Sequence, residues 1–138
     1  MSAFVPDASV AVKWLLQEPE TPAALVLLRR GGRIRAPALL RVEAAAAIVR
    51  RYRLGAISAD DARERLDHCA KLLSDRRVNY VPDKALIAAA AEIALRIKHN
   101  LQDCLYIACA ARDGVEMFTA DVRLLERAAA HFPFVRAL

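Results

Sequence analysis

The sequence predicts an α/β domain built on a mainly parallel sheet. Three observations carry this. Short extended segments alternate with helical ones along the chain. At 138 residues and 57% hydrophobic content there is enough apolar material for one buried core, so residues 1–138 read as one domain. Two acidic residues, Asp7 and Asp121, directly follow extended segments, which is where ligand crevices open in parallel sheets.

Ala3 to Val5 reads as the first strand, stopped by Pro6, and Ser9 to Leu16 as a short helix with Val10 and Trp14 on one face. Thr21 and Pro22 suit the N-cap and first position of the next helix, which Gly31 and Gly32 close. Arg33 to Ala36 is a second strand. Pro37 then starts a long helix that runs through Ala44 to Ala47 and ends near Gly55. Ser58 and Asp61 resemble a capping box, and the helix beyond them aligns Ala62, Leu66, Cys69 and Leu73. Asn79 to Val81 is a strand. Asp83 caps a helix that buries Leu86, Ala90, Ile93 and Ile97, and another helix runs from near Leu101 to Gly114. Met117 to Thr119, Asp121 to His131 and Phe134 to Arg136 complete the chain as strand, helix and strand.

A net charge of +5 favours a polyanion such as RNA or an acidic protein segment, without selecting between them. Cys69, Cys104 and Cys109 are odd in number and lack C-x-x-C spacing, so they read as core residues in a reducing compartment. The first residues lack the basic and apolar regions of a secretory signal, and no window offers the roughly 18 apolar residues of a membrane span. A soluble cytoplasmic protein with no membrane contact is expected.

Four carboxylates sit where burial is expected, and an unpaired buried charge costs several kcal/mol. Asp7 and Asp121 lie at strand ends. Glu43 lies between Leu39 and Leu40 one turn earlier and Ala46 and Ala47 one turn later, and Asp103 shares a stripe with Tyr106, Ile107 and Ala110. Each has a local explanation: Asp7 and Asp121 as N-caps, Asp103 as a first-turn acid favoured by the helix dipole, Glu43 as a partner of Arg41 or Arg50. Brought together, they repel one another unless a multivalent cation holds them, and oxygen-only ligands select Mg²⁺ or Mn²⁺ over zinc. His68, His99 and His131 show no ligand spacing. The first and last read as surface or helix-end residues, and His99 as part of a helix-terminal turn.

Val5-Pro6-Asp7-Ala8-Ser9-Val10, Leu40-Arg41-Val42-Glu43, Gln102-Asp103-Cys104-Leu105-Tyr106 and Thr119-Ala120-Asp121, in this order and spacing, resemble the PIN domain, and in particular the VapC-type toxins of toxin-antitoxin pairs. The resemblance spans essentially the whole chain. It implies a three-layer α/β/α domain with a mainly parallel central sheet of four to five strands, and a metal-dependent endoribonuclease, a hydrolase. It also implies that Asp7, Glu43, Asp103 and Asp121 are the site acids, supported by the hydroxyls of Ser9 and Thr119. Pro6 and Gln102 depart from the usual apolar residues before the first and third acids, which bears on the strand end and the cleft lining near Asp103.

Such a site must bring water to an anionic phosphorus and stabilise the leaving oxygen. Asp7, Asp103 and Asp121 are the expected ligands of Mg²⁺ (or Mn²⁺), and Glu43 is expected to orient or deprotonate the attacking water. Arg29, Arg30, Arg33, Arg35, Arg50, Arg51 and Arg53 concentrate positive charge in the first half, either as RNA contacts or as a solvated face that satisfies helix C-termini. Trp14, Tyr52, Tyr80 and Tyr106 read as core rather than base-stacking residues. The family resemblance further implies a VapB-like antitoxin and a homodimer, with Leu25, Leu28, Leu66 and Leu73 serving as partner surface or as core. Two alternatives are an RNA-processing nuclease without a toxin role and a Mg²⁺-binding phosphoacceptor domain. The second needs paired acids after the first strand, where Asp7 stands alone, and a late lysine, where none follows Lys98.

Overall fold

In the computed structural model, which describes residues 3–138, the chain forms β1 (Phe4–Pro6), α1 (Ala8–Leu15), α2 (Thr21–Arg29), β2 (Ile34–Pro37), α3 (Leu39–Arg53) and α4 (Ala59–Leu72). It continues through β3 (Val78–Val81), α5 (Asp83–Ile97), α6 (Leu101–Asp113), β4 (Glu116–Thr119), α7 (Val122–Ala128) and β5 (Val135–Ala137). The five strands are all parallel, in the order β3-β2-β1-β4-β5.

This order fixes the layers. From β1 the chain steps outward to β2 and β3, then crosses back to β4 on the far side of β1 and on to β5. Right-handed crossovers put α1 to α4 on one face of the sheet and α5 to α7 on the other, giving three α/β/α layers. The reversal leaves a switch point between β1 and β4, and a crevice forms outside their carboxyl ends. Asp7 and Asp121 occupy those ends.

Burial follows the layering. Both sheet faces are covered, so Val5, Ala36, Val78 and Met117 are buried without a solvent-facing alternation. Helix α6 lies between β1, β2 and β4 on one side and α5 on the other, which buries every residue from Cys104 to Ala110. The three cysteines are buried and free. No helix among the described residues is long and apolar enough to cross a membrane.

Several local expectations need correction. Pro6 belongs to β1 instead of ending it. Phe4 N donates to Arg33 O on the β2 side and Asp7 N to Phe118 O on the β4 side, so alternation turns the position of Pro6's missing N–H toward β2. Pairing with β2 is confined to Phe4↔Ile34, and no ladder bond is lost there. Pro37 ends β2, and α3 begins two residues later than expected. Asp83 caps α3 and not its own helix, accepting from Leu39 N at 3.1 Å, because Pro82 holds the N-cap position of α5. The Thr21 hydroxyl accepts from Glu18 N and donates to Leu16 O, so it ties the α1–α2 turn while Glu20 takes the cap position.

Candidate metal centre

Asp7 is the N-cap of α1, in extended backbone, and its Oδ1 accepts from Val10 N at 3.2 Å. Ser9 donates its hydroxyl to the same oxygen at 2.5 Å. Burial raises the Asp7 carboxyl to about 6. The Ser9 and Thr119 hydroxyls and the Val10 amide pull it down, and the charge of Asp103 pushes it up. Its side chain is thus a buried acid in the field of a second acid.

The end of β4 is bonded to the same point. Ala120 N donates to Ser9 Oγ at 2.9 Å and Asp121 N to Thr119 Oγ1 at 3.0 Å. The Ser9 and Thr119 hydroxyls also meet each other at 3.4 Å. Asp121 caps α7, its Oδ1 accepting from Arg123 N and Leu124 N at 3.0 and 3.1 Å. Ser9 and Thr119 therefore join the two strand ends that carry Asp7 and Asp121.

Asp103 is the third residue of α6. Asn100 caps that helix by accepting from Asp103 N at 2.8 Å and returns a bond from Nδ2 to Asp103 Oδ2 at 3.1 Å. His99 Nε2 lies 2.6 Å from the same oxygen. His99 closes α5 as part of its terminal turn, its N donating to Ala94 O, and it also stands close to two acids: ligand atoms of His99, Asp103 and Asp121 lie within 4.8 Å of one another. The His99–Asp103 spacing of four straddles the cap at Asn100, so a search for ligand pairs within helices passes over it.

Glu43 approaches from α3, in the field of Asp103. The hydroxyl of Tyr106 donates to its Oε1 at 2.5 Å. Burial raises the Glu43 carboxyl, the Tyr106 bond lowers it, and the charges of Asp103 and Asp83 raise it again. Tyr106 is fully buried, as expected of core, yet it also holds a site acid. It stands one turn after Asp103 on α6. Burial, the Glu43 bond and the charges of Glu43, Asp7 and Asp103 all keep the Tyr106 phenol protonated.

Asp103 is the hub of this arrangement. It lies in the field of Asp7 and of Glu43, and it shares the tight group with Asp121; Asp7 and Glu43 stand outside that group. Among the described residues no lysine or arginine is within ion-pair distance of any of the four acids. Arg41, a suggested partner of Glu43, instead meets Asp75 at 3.3 Å and lies over the Tyr80 ring. Oxygen donors without a counter-cation suit a hard divalent ion.

The arginines divide. Arg33 precedes β2 at its amino end, away from the acids, whereas Arg30, at the end of α2, borders a pocket with Phe118, Ala137 and Leu138. Arg35 pairs with Asp113 at 3.4 Å. A groove between α1 and α3 leads from Ser9, Glu43 and Ala120 past Val12 and Ala47 to Arg50 and Arg51. Arg51 is engaged there by Glu18 at 2.8 Å, while Arg50 is exposed.

Solved structures share the fold. The chain is similar to PAE2754 from Pyrobaculum aerophilum, with TM-score 0.69 and 18% identity over 99% of this chain and 90% of that one. It is also similar to VapBC2 from Rickettsia felis bound to a DNA fragment from their promoter, with TM-score 0.63 and 12% identity over 99% and 97% of the two chains. A toxin-antitoxin complex from Klebsiella pneumoniae matches with TM-score 0.57 and 16% identity over 99% and 96%. No curated protein matches in sequence. The PIN domain pattern matches residues 4–130, a span that contains all four acids and both hydroxyls. PIN domains are generally nucleases that use divalent metals. The chain belongs to the PIN domain family.

Proposed function

We propose that the chain is a Mg²⁺- or Mn²⁺-dependent endoribonuclease that acts as the toxin of a VapBC-type pair in the cytoplasm. The observation that carries the reading is the set of three acids around a fourth, Asp103, at the switch point of the sheet, with no lysine or arginine partner among the described residues. A bound divalent ion would supply charge neutralisation for the acids and polarisation of the scissile phosphodiester. Asp7, Asp103 and Asp121 would hold it. Ser9 and Thr119 would keep Asp7 and Asp121 at fixed separation through the bonds that join β1 to β4.

Glu43 accepts the proton of the attacking water in this scheme. Its upward-shifted carboxyl makes it a stronger base than an exposed glutamate, and Tyr106 fixes its orientation. Arg50 and Arg51 would meet substrate phosphates along the groove. Arg29, Arg30 and Arg33 would act through the overall positive field. A VapB-like antitoxin is proposed because two of the similar structures are a VapBC2 assembly and a toxin-antitoxin complex, and a homodimer is proposed from the family resemblance alone.

The test incubates purified, antitoxin-free protein with cellular RNA in Mg²⁺, in Mn²⁺ and in EDTA. Fragments are expected only with metal, and both Asp7→Asn and Asp103→Asn should abolish them. Cleavage at wild-type rates by both variants would remove the site from the mechanism.

A further inference from the structure

We infer that His99 is a positioning residue for Asp103 and not a metal ligand, although its ring nitrogen falls in the same tight group as Asp103 and Asp121. The inference deepens the nuclease reading and rests on it for the identity of the site. The His99 side chain is only 4% exposed and lies between Arg127 and Asp103. Its Nδ1 is 3.1 Å from Arg127 Nη1. A guanidinium has donors and no acceptor, so Nδ1 must accept and carries no proton. The proton of the neutral ring is then on Nε2, directed at Asp103 Oδ2 at 2.6 Å. Both ring nitrogens are engaged, and neither keeps a lone pair for an ion.

Arg127 is itself fixed. Its Nη1 also donates to Lys98 O at 2.9 Å, at a residue whose left-handed backbone (φ 55°) ends α5. Arg127 lies in the last turn of α7, the helix that Asp121 caps. The bonds Arg127–His99–Asp103 thus tie the helix carrying Asp121 to the helix carrying Asp103. His99 and Asn100 both bond Oδ2, which leaves Oδ1 of Asp103 without a partner among the described residues and available to a cation. Hydrogen-bonded supports of this kind typically change metal affinity by about 10- to 100-fold when removed.

Two measurements test this. In protein labelled with ¹⁵N-histidine, long-range ¹H–¹⁵N correlation should show His99 with a protonated Nε2 and a bare Nδ1, and Mg²⁺ should leave that pattern unchanged. The resonance is assigned by its loss in His99→Gln. A protonated Nδ1, or loss of the Nε2 proton on adding Mg²⁺, would overturn the inference. In parallel, Mn²⁺ binding is titrated by calorimetry in variants whose folding is checked by circular dichroism. His99→Leu should weaken binding about 10- to 100-fold, and His99→Gln, which keeps a donor in reach of Asp103, should restore most of it. Equal losses in the two variants would make His99 a ligand. Absence of Mn²⁺ binding by the wild type would instead defeat the nuclease reading, and the tautomer measurement would still decide whether the Arg127–His99–Asp103 chain exists.

Discussion

Asp7→Asn is expected to stabilise the metal-free protein at neutral pH and to abolish its stabilisation by Mg²⁺. Burial moves the Asp7 carboxyl from an ordinary 3.8 to about 6, a difference of about 3 kcal/mol between its ionised and protonated forms. The folded protein therefore binds this proton more tightly than the unfolded chain. The favourable contribution is complete below pH 3.8 and is lost as pH rises through about 6, so at pH 7.5 the ionised group opposes folding by about 3 kcal/mol. Asparagine keeps an oxygen for Val10 N and Ser9 Oγ but carries no charge. The value of about 6 already includes the lowering by those bonds, so the expected net gain is about 3 kcal/mol.

The assay is urea denaturation in EDTA at pH 5 and pH 7.5, repeated with saturating Mg²⁺. The variant should be the more stable at pH 7.5, with a smaller margin at pH 5, where wild-type Asp7 is largely protonated in the folded state. At a metal concentration 100 times the dissociation constant, linkage should stabilise the wild type by about 2.7 kcal/mol. The variant should gain little. A variant less stable than wild type in EDTA at pH 7.5, with the same response to Mg²⁺, would refute both the burial argument and the role of Asp7 as a ligand.

Tyr106→Phe removes the bond that lowers the Glu43 carboxyl, so the acid limb of the RNA-cleavage pH profile should move to higher pH and the rate should fall about tenfold, as for a lost bond to a charged group; an unmoved limb would show that Glu43 is not the base. Thr119→Val keeps the shape of a 1% exposed side chain but leaves Asp121 N without its acceptor, which should cost about 1–3 kcal/mol in urea denaturation. Gly114 caps α6 at φ 65° with no atom near its missing Cβ, so Gly114→Ala should lower stability by about 1 kcal/mol through backbone strain alone, read as a reduced Tm with unchanged metal binding.

The alternation of elements was readable because the sheet is covered on both faces and each strand is a short apolar run beside a periodic helix. Boundaries slipped where prolines serve double duty: Pro6 and Pro37 sit inside strands because their missing donors face no partner or the strand ends there. The acids at strand ends followed from topology alone. Glu43 was legible as a charge in an apolar helix, but its partner Tyr106 was not, since a buried tyrosine in an apolar stripe looks the same whether or not its hydroxyl meets an acid 63 positions away. His99 escaped for a different reason: its partner in α7, Arg127, is 28 residues distant, and no sequence spacing encodes that contact. The arginines share a sign but not a location, because a loop before a strand and the last turn of a helix are equally basic in one dimension.

The local and functional explanations of the acids turn out to be one arrangement. Asp7, Asp103 and Asp121 each stand at a helix start, and each uses a single carboxylate oxygen to receive its fixing bonds: Oδ1 of Asp7 from Ser9 and Val10, Oδ1 of Asp121 from two amides, Oδ2 of Asp103 from His99 and Asn100. A carboxylate held through one oxygen has its rotamer set before any ligand arrives, which removes ordering entropy from binding. The Val10 amide at the start of α1 lowers the Asp7 carboxyl and the Tyr106 hydroxyl lowers that of Glu43, each partly offsetting burial. Capping therefore does not compete with metal binding for these residues. It supplies rigidity that would let like charges be kept close until a cation neutralised them.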